Sequence, residues 1–235
     1  MTRNLKALGL ALVAVFAMSA MTASGASAQQ GHLTADGPVT LDATEFGEPQ
    51  DNGLTSYGGA TRCKQVNYTG HKINATPHEL IPSGATEVTL TPHYAECSAE
   101  SGESTFPTTV EMTSCDYNLI LGETTEGEVD TYGVDADIEC DVPGDEIHVT
   151  QFAGTSHGFR VCSITIPEQT NLVSHVDVTD KTNGHLLING TFTGIDSTRS
   201  GLCGAAETTE GQFHINATVE GTDAVGLPTD VSLSD

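Results

Sequence analysis

The sequence predicts an all-β protein: a two-sheet antiparallel β-sandwich, Ig-like or jelly-roll-like, stapled by disulfides. Three observations carry this expectation. Helical periodicity is nearly absent beyond residue 28. Period-two alternation of apolar and polar residues recurs, broken by Gly, Pro, Asn or Asp every 8 to 15 residues. Six cysteines, an even count, all fall within the same β-rich region.

The first 28 residues stand apart. Arg3 and Lys6 form a basic head, residues 7–18 are apolar, and Ala26 and Ala28 complete an A-x-A ending. That pattern is a secretory signal peptide, with cleavage expected after Ala28. The apolar run is shorter than the roughly 20 residues of a membrane-spanning helix. About 207 residues remain, enough for a substantial core. They are read as a flexible segment at 29–36, one β-sandwich domain over 37–225, and a loose tail at 226–235.

The strands follow in order. "GPVTLDAT" (37–44) opens the domain, "ATRCKQVNYTG" (60–70) is second, and "ATEVTLTPHYAEC" (85–97) third. "TTVEMTSCDYNLILG" (108–122) is one long bent strand or two short ones. Residues 133–141 come next, then "DEIHVTQF" (145–152) and "FRVCSITIP" (159–167), which places Cys162, Ile164 and Ile166 on one face. "NLVSHVDV" (171–178), "GHLLINGTFTG" (184–194) and "GQFHINATVEG" (211–221) complete about ten strands. In the last, Phe213, Ile215, Ala217 and Val219 share one face, and His214, Asn216, Thr218 and Glu220 the other. One apolar and one polar face per strand argues for packed antiparallel sheets. Uneven loop lengths argue against full closure into a barrel. Residues 47–53 read as a loop and 122–130 as an acidic hairpin tip.

The formal charge is −24, and −26 once Arg3 and Lys6 are removed. Such a chain repels nucleic acid and anionic lipid and attracts cations. No nucleic-acid partner and no membrane insertion is expected. The partner expected is an extracellular protein or glycan.

The order "TRCKQVNYTG", "TLTPHYAEC", "FPTTVEMTSCDYNL", "VDADIECDVPGDEIHVT", "CSITIPEQTNL", "INGTFTGID", "GLCG", "NATVEGTD" resembles a family of exported, β-rich, six-cysteine proteins of actinobacterial-type Gram-positive bacteria. The likeness runs from about Pro38 to about Asp223 and rests on the order and spacing of the cysteines with their flanks. The carboxylate excess departs from the family pattern. The resemblance implies export and a β fold. The family carries no assigned activity, so no catalytic residue transfers.

Cys63, Cys97, Cys115, Cys140, Cys162 and Cys203 are expected to be disulfide-bonded, with no C-x-x-C and no Cys/His zinc spacing among them. Cys97–Cys115 and Cys140–Cys162, which would close loops of similar size around a turn, and Cys63–Cys203, which would tie an early strand to a late one, are the pairings expected. Cys115–Cys140 is the rival, should 115–121 pair antiparallel with 134–140.

One strand poses the question of a site. "GVDADIECDVPGDE" (133–146) puts Asp135, Asp137, Glu139 and Asp141 on one face. Same-face neighbours stand about 6.5–7 Å apart, and calcium takes six to eight oxygens. Asp135, Asp137 and Glu139, with Asp145 from the next turn, are the calcium candidates. Glu146, Asp130, Asp177 and Asp180 are further donors. The alternative is a solvated face that discourages edge pairing. No other cofactor is expected. Nine histidines show no H-x-H or H-x-x-x-H spacing, and "TSHG" (155–158) is not a nucleophile elbow. With the thiols oxidised, no Trp, and five Tyr at mostly strand positions, no catalytic residue is singled out. The function expected is a secreted, non-catalytic structural or binding module. An extracellular hydrolase and a calcium-stabilised adhesion module are the alternatives.

Overall fold

The computed structural model describes residues 30–45, 53–56, 59–72, 79–101, 104–124, 131–154, 158–181, 183–203 and 206–234. The proposed signal peptide, most of the loop at 47–53, the hairpin tip at 125–130, Tyr57, Asn74, His78 and His157 lie outside them.

The described chain is all-β, antiparallel and disulfide-stapled, as the alternation predicts. Its fifteen strands are β1 (His32–Ala35), β2 (Val39–Glu45), β3 (Gly53–Ser56), β4 (Gly59–His71), β5 (Glu87–Ser101), β6 (Ser104–Glu111), β7 (Cys115–Thr124), β8 (Thr131–Cys140), β9 (Glu146–Ala153), β10 (Phe159–Pro167), β11 (Gln169–Asp180), β12 (Leu186–Gly201), β13 (Ala206–Asp223), β14 (Pro228–Thr229) and β15 (Val231–Ser234). Thirteen share one sheet, and β1 pairs with β15 in a second.

Twelve of these thirteen strands form eight staves, and β14 pairs with the end of β13. β4, β5, β12 and β13 are single long strands. β2 with β3, β6 with β7, β8 with β9, and β10 with β11 are broken staves whose halves pair with the same neighbours. Each stave pairs with the next in chain order. β13 returns to pair with β2 and β3. The two sheets expected to pack face to face are therefore joined along both sides into a closed meander. Every stave has a partner on each side, which removes the free edges of an open sheet. The uneven loops did not prevent closure, because their irregularity is taken up by breaks within the staves.

Those breaks have a common consequence. β4 buries Thr61 and Cys63, then Val66 and Tyr68, while β5 buries Val88 and Leu90, then Cys97 and Ala99. The inward parity switches partway along. Glu96 stands at the β5 switch with φ 51°. Between β6 and β7, Thr113 and Ser114 adopt φ 43° and 58°. A five-residue turn at 141–145 separates β8 from β9. On β12, a register shift beside Gly194, φ 80°, separates buried Phe192 from buried Ile195. Such irregularities bend a strand and re-aim its side chains, so staves too long to curve smoothly keep their apolar residues inside.

One hydrophobic cluster fills the ring. Tyr117 stacks on Phe213 from across the interior at 5.3 Å between centroids, and Phe213 on Phe192 at 6.5 Å. A residual cavity of about 20 Å³ touches side chains from all eight staves, Leu54, Cys63, Tyr94, Tyr117, Ile166 and Phe213 among them.

The segments expected to be loose are ordered where described. β1 and β15 pair from His32↔Ser234 to Ala35↔Val231. Leu33, Val231 and Leu233 are buried. Gly31 N–H donates to Gly122 O, Leu33 N–H to Ala85 O, and Leu233 N–H to the Asp180 carboxylate at 2.9 Å. Short as these strands are, their three apolar side chains cover one end of the ring, which outweighs the polar composition that made them look loose.

The bridges are Cys63–Cys97, Cys115–Cys140 and Cys162–Cys203. Cys97–Cys115, Cys140–Cys162 and Cys63–Cys203 do not form. Register is the reason. Cys97 faces Thr108 on one side and Cys63 on the other. Cys140 faces Cys115. Cys162 faces Gly201, two residues short of Cys203. Loop size is a weaker determinant than strand pairing once the staves are in register. The rival pairing, Cys115–Cys140, is the one that holds.

Candidate functional site

The outer surface is polar. Asp135, Asp137, Glu139, His175, Asp177 and Glu220 face outward while the inner positions are apolar, the reverse of the apolar-out alternation of a lipid-embedded barrel. No described segment is a helix long and apolar enough to cross a membrane.

A groove of about 520 Å³ crosses this surface over β4, β3, β13 and β12. Its origin is the break in the first stave. β2 ends with Glu45 opposite Ala217, and β3 begins with Gly53 opposite His214. Between them, Ile215 and Asn216 have no register partner on that side among the described residues. Even-numbered side chains of β13 point outward, so His214 and Asn216 rise into the groove. Register brings Asn189 opposite Asn216 and Thr191 opposite His214. Thr191 Oγ1 lies 2.8 Å from His214 Nδ1. Thr55, Ala60 and Arg62 form the far wall, with Arg62 paired to Glu100 at 3.0 Å.

Chemically, the described lining is amide, hydroxyl, imidazole and guanidinium, without a carboxylate. It offers hydrogen bonds in both senses to a neutral polar ligand. It does not bring a nucleophile, a base and an orienting acid together. In the sequence His214 and Asn216 are two of four polar residues on one strand face, and Asn189 lies within the preceding strand stretch at 184–194. Only the strand register, which sets Asn189 opposite Asn216 across 27 residues of chain, makes them neighbours.

The carboxylate row is arranged differently. Asp135 is exposed, and Asp137 and Glu139 are half-buried. Asp135 and Glu139 lie four residues apart, about 13 Å along a strand. Asp145 sits beyond the 141–145 turn and accepts a hydrogen bond from the Ser114 hydroxyl. The four candidates are thus not gathered at one point. Asp135 instead lines a second outer groove, of about 860 Å³, with His175 and Asp177. Among the described residues, no three His, Cys, Asp or Glu side chains converge to hold a metal. The Glu139 carboxyl is held above the usual carboxylate range, first by partial burial and then by Asp137, Glu168, Glu87 and Asp116.

On the inner side, the Tyr94 and Tyr117 hydroxyls meet at 3.0 Å. Burial raises both phenols, Tyr117 to about 12 and Tyr94 well above 10. They are neutral structural groups.

Comparison with protein-family models, with curated proteins and with solved structures finds no match to this chain.

Proposed function

We propose that the protein is an exported, non-catalytic binding and structural module of the cell exterior, which recognises a hydroxyl-rich extracellular glycan through the Asn189–Asn216–His214 groove. The observation that carries this is the division of the molecule into a filled interior and a grooved exterior. A cavity of about 20 Å³ is far below the roughly 300–1,000 Å³ of small-molecule pockets, so recognition falls to the outside. The groove's paired amides, hydroxyl and imidazole suit a neutral polyol. The formal charge of −24 disfavours an anionic one.

Export is supported by the basic head, apolar run and A-x-A ending, with cleavage after Ala28, and by the three disulfides, which suit an oxidising compartment. The resemblance to exported six-cysteine proteins of Gram-positive bacteria points the same way.

The test is binding of the oxidised protein to an array of extracellular polysaccharides, repeated with Asn189→Ala and His214→Ala. Tenfold or greater loss in both variants, with unchanged melting, is expected. Undiminished binding in both would sink the groove reading. Release of shortened sugars during the assay would replace binding with hydrolysis.

A further inference from the structure

We infer that the two outer grooves are one binding track, which crosses the strands from Asp135 on β8 to His214 and Asn216 on β13 and takes an extended, amino-bearing polysaccharide. The inference rests on the glycan reading of the first groove and adds to it a second set of residues, a minimum ligand length and a charge.

Strand register makes the grooves continuous. Asp177 stands opposite Gly133 on one side and Asn189 on the other, and Asn189 stands opposite Asn216. His175 stands opposite Thr191, and Thr191 opposite His214. Two polar rows therefore run side by side over β11, β12 and β13. Between the rows, Val176 and Ile215 are buried in the core and Gly190 has no side chain, so nothing divides the track. The first groove ends at Asn189, Gly190 and Thr191, and the second at His175, Val176 and Asp177. These residues are register partners on adjacent strands, so no strand separates the two hollows.

The second groove has its own origin in the ladder. β8 and β11 pair at Ala136↔Leu172 and next at Val134↔Val176, so residues 173–175 share the space opposite Asp135. Gly133 stands on the outward parity of β8 and puts no side chain into the hollow. The β7–β8 register also shifts beside it, between Leu121 and Thr124. A bulge of this kind re-aims side chains, and here it opens the surface around His175.

The two ends of the track differ in charge. The first groove presents amides, a hydroxyl and an imidazole, and its Arg62 is paired with Glu100. The second presents Asp135 and Asp177, both exposed, with the His175 imidazole and no Lys or Arg in its described lining. Ammonium groups on a sugar chain would be held there by charge-assisted hydrogen bonds, which are stronger than neutral ones. Hydroxyl groups of the same chain would pair with the amide row. From β8 to β13 is three strand spacings, about 14 Å, more than a single sugar ring covers. The ligand is therefore a chain. A carboxylated polysaccharide would be repelled by the aspartates, and a basic peptide would leave the amide and hydroxyl rows without suitable partners.

The experiment is calorimetry on the oxidised protein with glucosamine and N-acetylglucosamine oligomers of two and six units, at about pH 6, where the aspartates are ionised. The glucosamine hexamer is expected to bind at least tenfold more tightly than its dimer and than the acetylated hexamer. Asp135→Asn should weaken the glucosamine hexamer at least fivefold and leave the acetylated hexamer unchanged. Glu111→Gln, which removes one charge on β6, should change neither. His214→Ala should weaken both hexamers. Equal affinity for dimer and hexamer, equal losses in Asp135→Asn and Glu111→Gln, or hexalysine binding as tightly as the glucosamine hexamer would overturn the track. Acetylated hexamer that depends on His214, beside glucosamine hexamer that ignores Asp135, would overturn the track and leave the first groove standing. Glucosamine hexamer that depends on Asp135 but ignores both Asn189→Ala and His214→Ala would overturn the first groove and the track with it.

Discussion

Tyr117 and Glu139 illustrate opposite consequences of burying an ionisable group. Tyr117 joins Tyr94 by a hydroxyl–hydroxyl bond of 3.0 Å and stacks on Phe213. Its phenol is raised to about 12, so the fold favours the neutral form that the unfolded chain loses above about 10. Its contribution is complete below pH 10 and disappears as pH climbs from 10 towards 12. Tyr117→Phe should cost about 0.5–1.5 kcal/mol at neutral pH through the lost hydrogen bond. The same variant should show a smaller drop in stability between pH 9 and 11.5 than the parent, as measured by urea melts. Glu139 is raised too, but for a carboxyl the charged form is the one the fold disfavours. Its penalty is present at pH 7 and relieved as pH falls through the raised value. In EDTA, Glu139→Gln should therefore melt higher than the parent at pH 7. The two should converge under acid conditions, and a variant that melts lower at pH 7 would show that Glu139 makes favourable contacts instead.

At the scale of elements, the breaks and bridges work together. Cys115 and Cys140 sit where β7 begins and β8 ends, beside the 112–114 and 141–145 irregularities. The bridge holds two staves in register where the sheet bends. Replacing both cysteines by Ala should cost about 2–4 kcal/mol, read as a lower urea midpoint. Register dependence is sharper at Gly190. Its φ is 152°, and an added Cβ would lie 2.1 Å from the His175 carbonyl oxygen. Gly194, also at positive φ, has open space. Gly194→Ala should cost about 1–2 kcal/mol from backbone conformation alone. Gly190→Ala should cost more, because β11 must move. Equal costs would show that the close approach does not constrain the sheet.

Over the whole molecule, ring closure and charge set the behaviour. The staves satisfy one another's backbone groups in a cycle, so a long β protein avoids an exposed template for aggregation. The chain carries 32 Asp and Glu against 8 Lys and Arg, and no Asp or Glu among the described residues is buried inside the ring. Self-repulsion is then least screened at low salt, where the Debye length is about 30 Å at 0.01 M against about 10 Å at 0.1 M. Raising NaCl across that range should raise the melting temperature, and a flat response would mean the charges lie too far apart to matter.

Composition and alternation alone determined the strand content, the inward residues of most strands, the oxidised cysteines and the acidic exterior, because each depends on residues close in sequence. Val134, Ala136 and Ile138 face inward as their alternation requires, and Asp135, Asp137 and Glu139 face out. Only the tertiary structure decided which cysteines meet, that the sheets close, that the terminal strands pair, and which polar residues become neighbours. Asn189 meets Asn216, and Thr89 meets Asn118 and Asp137, through register between staves. Register is set by how apolar rows from all eight staves fill one interior, a condition that no local stretch of sequence encodes.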